Sequence, residues 1–310
     1  MQTLNIIANG KKSFRANLSK NGKTRSILLV LMTVFMWSFL AVFTTKLRHI
    51  PAFLQVGITL SLAGVVNLPL IKHWKVPPAT LVIGTAGIFG NLFFYYLAFQ
   101  LAPPVEVNLI NYLWPVLIVL LSPVFLRGYR LRFWQAAGAL LGLIGTIIMI
   151  SGGKTAFASG YSLGYLSAFL GALFWAVYSL LIKRVPPFHF GAVGGFSLLS
   201  GILALLVFFI QRKNGLPAPA ISTADWVNLG LVSLGPIAAA NLTWKLAVKD
   251  GDPGAIGSFS YLTPLLSTIN LGIFGGQTIS LIHALAMALI LVGAVLGGLE
   301  SGPKEKAAAQ

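Results

Sequence analysis

The chain has no cysteine and only six acidic residues among 310. Without cysteine there are no disulfides and no thiolate metal sites. The six acids are Glu106, Asp225, Asp250, Asp252, Glu300 and Glu305, all near the ends of apolar runs, in loops or in the C-terminal tail. None lies in the middle of an apolar run, where ion- or proton-driven membrane carriers commonly place a carboxylate. Glu106 comes nearest, and its place one turn into an apolar run reads as a helix-start cap. The four histidines (His49, His73, His189, His283) form no metal-ligand spacing. His-Glu-x-x-His, Gly-x-Ser-x-Gly and Walker-type phosphate loops are also missing, so no catalytic residue, metal or cofactor is expected.

Apolar residues make up most of the rest. They are 56% of the chain against 9% charged, and the mean hydropathy is +0.85. An ordinary soluble domain is excluded. Crossing the hydrocarbon core takes roughly 20 apolar residues in helical form, and ten such windows fit: 27–46, 52–71, 79–101, 104–126, 132–151, 162–183, 189–210, 224–248, 254–274 and 279–299. Turn formers separate them, among them Pro51, Pro77-Pro78, Pro103-Pro104, Pro186-Pro187 and Gly251-Asp252-Pro253. No window alternates in polarity as barrel strands would.

The net charge of +16 resembles a nucleic-acid signature, but the basic residues sit in short loops and the N-terminal tail. With a cytoplasmic N-terminus, only Lys46, Arg48, Lys154, Arg212 and Lys213 fall outside and the other 17 of the 22 fall inside. Both termini are therefore expected in the cytoplasm, and no nucleic acid is expected as partner. Residues 1–25 lack an apolar stretch and a cleavage site, so a retained cytosolic tail is expected.

The pattern also repeats. Tyr112-Leu113-Trp114-Pro115 returns 149 residues later as Tyr261-Leu262-Thr263-Pro264, and the segment around Trp37 is echoed 138 residues later around Trp175. Expected units are a tail over 1–26, five spans over 27–152, five more over 153–300 and a cytosolic tail over 301–310. Because five is odd, the second unit enters the membrane upside down. The expected fold is thus an all-α membrane protein, ten transmembrane helices as two inverted five-helix repeats around a central cavity.

Polar stripes mark the faces that avoid lipid. Asn108, Asn111, Tyr112, Pro115 and Ser122 share one face of the fourth window, answered by Gly257, Ser260, Tyr261, Pro264 and Ser267 in the ninth. The third window adds Gly84, Gly87, Asn91, Phe94 and Tyr95, answered in the eighth by Ser233, Pro236, Ala240, Thr243 and Trp244. Candidate substrate-binding residues are Trp37, Asn91, Tyr95, Asn108, Asn111, Tyr112, Trp114, Trp175, Tyr178, Ser260 and Tyr261. The aromatic rings would supply apolar walls, and the amides and hydroxyls would meet ammonium and carboxylate. Helix-to-helix packing is the alternative role for each of them. Pro115 and Pro264 are candidate hinges, because proline frees a backbone carbonyl. Gly138-x-x-x-Gly142 and Gly293-x-x-x-Gly297 suit the fifth and tenth windows to bracing or to a dimer contact.

The run Gly171-Ala-Leu-Phe-Trp-Ala-Val-Tyr-Ser-Leu-Leu-Ile-Lys-Arg184 and the paired Tyr-Leu-x-Pro segments resemble the drug/metabolite transporter superfamily, EamA-type family, and within it the aromatic amino-acid exporters of bacterial inner membranes. The resemblance runs from about Ile27 to Leu299. It implies a multi-pass inner-membrane protein with a small-molecule substrate, aromatic and other amino acids first, acting as monomer or homodimer. One departure is clear: where many members carry Gly-Glu after the fourth and ninth helices, this chain has Arg127-Gly128 and Gly276-Gln277. Lacking a buried acid, transport is expected by facilitated diffusion or another coupling route. An exporter of drugs or nucleobase-like compounds is the rival transport reading, and a membrane enzyme or scaffold the rival of another class.

Overall fold

The computed structural model describes residues 24–126, 133–151, 159–250, 259 and 262–299. Every regular element among them is helical. The helices are α1 (Thr24–Lys46), then α2 (Ala52–Val66), α3 (Pro78–Leu101), α4 (Pro104–Asn111), α5 (Trp114–Phe125), α6 (Phe133–Ser151) and α7 (Ser162–Leu181). They continue with α8 (Ala192–Lys213), α9 (Thr223–Val232), α10 (Ala240–Asp250), α11 (Leu262–Phe274) and α12 (Leu281–Leu299). A π-helical segment, Ser233–Ala239, joins α9 to α10.

Local chemistry sets several of these starts. Prolines open α3 and α4, where the missing N–H costs nothing and φ is already helical. α9 begins with a capping box: Ser222 Oγ accepts from the Asp225 N–H, and the Asp225 carboxylate accepts from the Ser222 N–H at 2.8 Å. Beyond α8 the chain turns at Gly215, whose φ of 101° suits glycine.

Among the described residues, six continuous helical stretches are long and apolar enough to cross a membrane: Thr24–Lys46, Pro78–Leu101, Pro104–Phe125, Ser162–Arg184, Ala192–Lys213 and Thr223–Trp244. The stretches in 52–66, 136–148, 262–274 and 281–293 are shorter apolar helices. Phe35, Val82, Val124, Leu163, Phe209 and Leu281 all point outward. So much exposed apolar surface is untenable in water and natural against lipid.

Three pairings dominate the interior: α6 against α12, α3 against α7, and α2 against α8. Small residues allow each one. A Cβ on Gly293 would strike the Gly138 carbonyl and come within 2.9 Å of the Gly142 nitrogen, so the two glycine motifs close on each other. Gly87 admits Tyr178, Gly90 admits the Phe174 ring, and Gly64 lies within 2.6 Å of Leu198 by the same measure. The buried core follows these contacts, with Tyr96, Phe99 and Phe196 as its largest fully enclosed side chains.

The expected fourth span is found as Pro104–Phe125, with a two-residue turn inside it. α4 ends at Asn111, Tyr112 and Leu113 turn, and α5 starts at Trp114 with Pro115 in its first turn. The physical cause is local: Pro115 has no N–H to give the Asn111 carbonyl four residues earlier. The second run is shorter than expected, because α2 stops at Val66 and a 3₁₀ turn over Leu68–His73 follows.

Candidate binding seam

α4 brings its polar face to α11. Asn108 is buried, and its Oδ1 accepts from Ser267 Oγ at 3.2 Å. The Tyr112 hydroxyl engages the same Ser267, and Tyr95 on α3 lies within electrostatic reach of Tyr112. The amide oxygen of Asn111 points toward α7, about 3.5 Å from where a Cβ on Gly171 would sit. α7 then contributes Trp175 and Tyr178, with ring centroids 5.6 Å apart. Trp114 packs beside Leu117, Ala172 and Ala176. Asn108 and Tyr112 thus face α11, Asn111 and Trp114 face α7, and Trp175 and Tyr178 lie further along α7; none of them carries a formal charge.

Other expected site residues are committed elsewhere. Asn91 Nδ2 donates to the Gly171 carbonyl at 2.9 Å, tying α3 to α7. The Trp37 indole donates to the Pro236 carbonyl at 3.1 Å, and its ring lies 5.3 Å from Trp244. Both side chains hold helices together here. The Pro236 carbonyl lies in the π-helical segment Ser233–Ala239. Thr33 Oγ1 and Thr243 Oγ1, 2.7 Å apart, extend the same contact. Of the hinge candidates, Pro115 sits at the α4–α5 break, while the Pro264 carbonyl accepts from Thr268 Oγ1 at 2.9 Å. Ser260 and Tyr261 lie outside the described residues.

Two seam residues were missed from sequence, Thr263 and Asn270. Asn270 Nδ2 donates to Ser38 Oγ at 2.9 Å, joining α11 to α1. Thr263 is buried with its hydroxyl unpartnered. Positions 263, 267 and 270 follow helical spacing, so the signal was present. Two further contacts pair residues far apart in the chain. Glu106, in the first turn of α4, meets His283 of α12 at 3.4 Å. The His73 and His189 rings stack with centroids 3.7 Å apart.

The family model described as the EamA-like transporter family matches in two stretches, residues 24–151 and 162–298. This chain belongs to that family. An aromatic amino acid exporter YddG from Ancylobacter novellus is 35% identical over 286 residues, spanning 89% of this chain and 98% of the relative. A protein of the same name from Salmonella typhimurium is 26% identical over 200 residues, covering 62% of this chain and 66% of its own. One solved crystal structure, 36% identical, covers 89% of this chain and 97% of the other, with a TM-score of 0.66. The protein is a membrane transporter of the family's helical type.

Proposed function

We propose that the chain exports small metabolites, aromatic amino acids first, across a bacterial inner membrane by alternating access. The observation that carries this reading is the neutral α4–α11 contact, Asn108 with Ser267, beside the uncharged aromatic residues of α3, α5 and α7; Tyr95, Trp114, Trp175 and Tyr178 would wall the site. Such a lining suits a zwitterion with an aromatic side chain. The ring stacks on aromatic faces, and the opposed charges are met by hydrogen bonds without a counter-ion. The names of the relatives support the same cargo.

In this reading two inverted units, 27–152 and 153–300, form ten spans, with α4–α5 as the fourth and α9–π–α10 as the eighth. Several observations support it. The family model matches in two stretches. The pairings are those of a two-fold arrangement: α2 with α8, α6 with α12, α4 with α11, and α3–α7 answered by α1–α9. The tails at 1–26 and 301–310 would both be cytosolic. Rocking of one unit on the other would expose the seam to each side in turn, with the α4–α5 break at Pro115 and the first turn of α11 at Pro264 as hinges.

Purified protein in liposomes tests it. Labelled phenylalanine should equilibrate faster than in protein-free vesicles, and Trp175→Ala should cut that rate severalfold. No protein-dependent movement of any aromatic amino acid would refute the cargo.

A further inference from the structure

Three buried polar atoms on α4 and the first turn of α11 have no hydrogen-bond partner: Asn108 Nδ2, Asn111 Oδ1 and Thr263 Oγ1. The other unpartnered atoms among the described residues are scattered over α1, α2, α3 and the segment after α2. Leaving such an atom unmet in an apolar interior costs roughly 1–3 kcal/mol, so each of the three calls for a partner.

Their geometry is complementary. Asn108 and Asn111 are three apart on α4 and share a face; Thr263 and Ser267 are four apart on α11 and share a face. The hydrogen bond from Ser267 to Asn108 holds those two faces together. It also occupies the Asn108 oxygen and so leaves its N–H groups as the free function. The seam thus offers one amide donor, one hydroxyl donor and one amide acceptor.

We infer that Thr263 and Asn108 bind the carboxylate of an α-amino acid, while Asn111 Oδ1 accepts from its ammonium. This rests on the exporter reading and names the part of the cargo that the chain recognises directly. Thr263 occupies the repeat position of Trp114, so one unit presents a ring where the other presents a hydroxyl. That asymmetry gives the cargo a direction: side chain toward Trp114 and Trp175, head group toward Thr263. Specificity then has two separable parts, one for the ring and one for the head group.

The test is binding to detergent-purified protein, read by ligand-dependent thermal stabilisation, with phenylalanine, phenylalaninol (no carboxylate) and 3-phenylpropionate (no ammonium). Thr263→Val keeps the side-chain volume and removes the hydroxyl. It should weaken phenylalanine about tenfold, as loss of a hydrogen bond to a charged group does, and move phenylalaninol less than twofold. Asn111→Leu should weaken phenylalanine and phenylalaninol alike and spare 3-phenylpropionate. It carries the test alone if Thr263→Val does not purify. Equal weakening of all three ligands in either variant, or no weakening of phenylalanine, overturns the head-group assignment while leaving export intact. Wild-type protein that neither binds nor moves phenylalanine refutes the exporter reading instead.

Discussion

A single side chain here has one of two duties, facing a cargo or tying helices, and its hydrogen-bond partner tells which. Asn91 and Trp37 each spend their N–H on a backbone carbonyl of another element. Asn91→Leu should therefore act on stability, removing about 1 kcal/mol, seen as a lower melting temperature in detergent. Trp37→Phe keeps a ring beside Trp244 but orphans the Pro236 carbonyl, and should cost about 1–3 kcal/mol. Trp175 has no such bond among those described, so Trp175→Ala belongs to flux. Periodicity placed all three on polar faces. It did not separate the duties, because the partner of a side-chain amide or indole lies on another helix whose position no local pattern fixes. Thr263 shows the converse, since it was legible by spacing and overshadowed by the Tyr-Leu-x-Pro echo around it.

Whole elements were legible to the extent that their boundaries are chemical. The prolines before α3 and α4 and the Ser222–Asp225 box before α9 mark starts that the sequence announces. Ser222→Ala should remove the cap and cost about 1 kcal/mol, lowering the melting temperature without altering cargo preference. Asp225 also meets His49 at 3.2 Å, so the same cap fixes the start of α9 to the end of α1. Helix contacts depend on glycine. Gly87→Leu would drive a side chain into Tyr178, since even a Cβ there comes within 2.5 Å of the Tyr178 Cβ. That substitution should separate α3 from α7, and overpacking of this kind costs about 1–3 kcal/mol. A melting temperature equal to wild type would contradict the packing. The π segment was not legible. Pro236 announces a disturbance, but whether a helix kinks, breaks or widens depends on its neighbours, here Trp37, whose indole donates to the Pro236 carbonyl.

At the scale of the whole molecule, hydropathy and charge gave the membrane class, and the echo of Trp37 at Trp175 pointed to two units. The contacts at Glu106–His283 and His73–His189 were invisible beforehand, because they depend on how helix ends assemble. The internal pairing of Gly293 with Gly138 and Gly142 uses up the small-residue faces of α6 and α12, so any dimer would have to use other surfaces. The central claim is that one neutral seam opens to each side of the membrane in turn. The absence of native cysteine makes a direct measurement simple. Ser267→Cys, a near-isosteric change at the contact between α11 and Asn108, should react with a membrane-impermeant maleimide added from either face, and phenylalanine should slow both reactions. Reaction from one face alone, whatever the cargo concentration, would contradict alternating access at this seam.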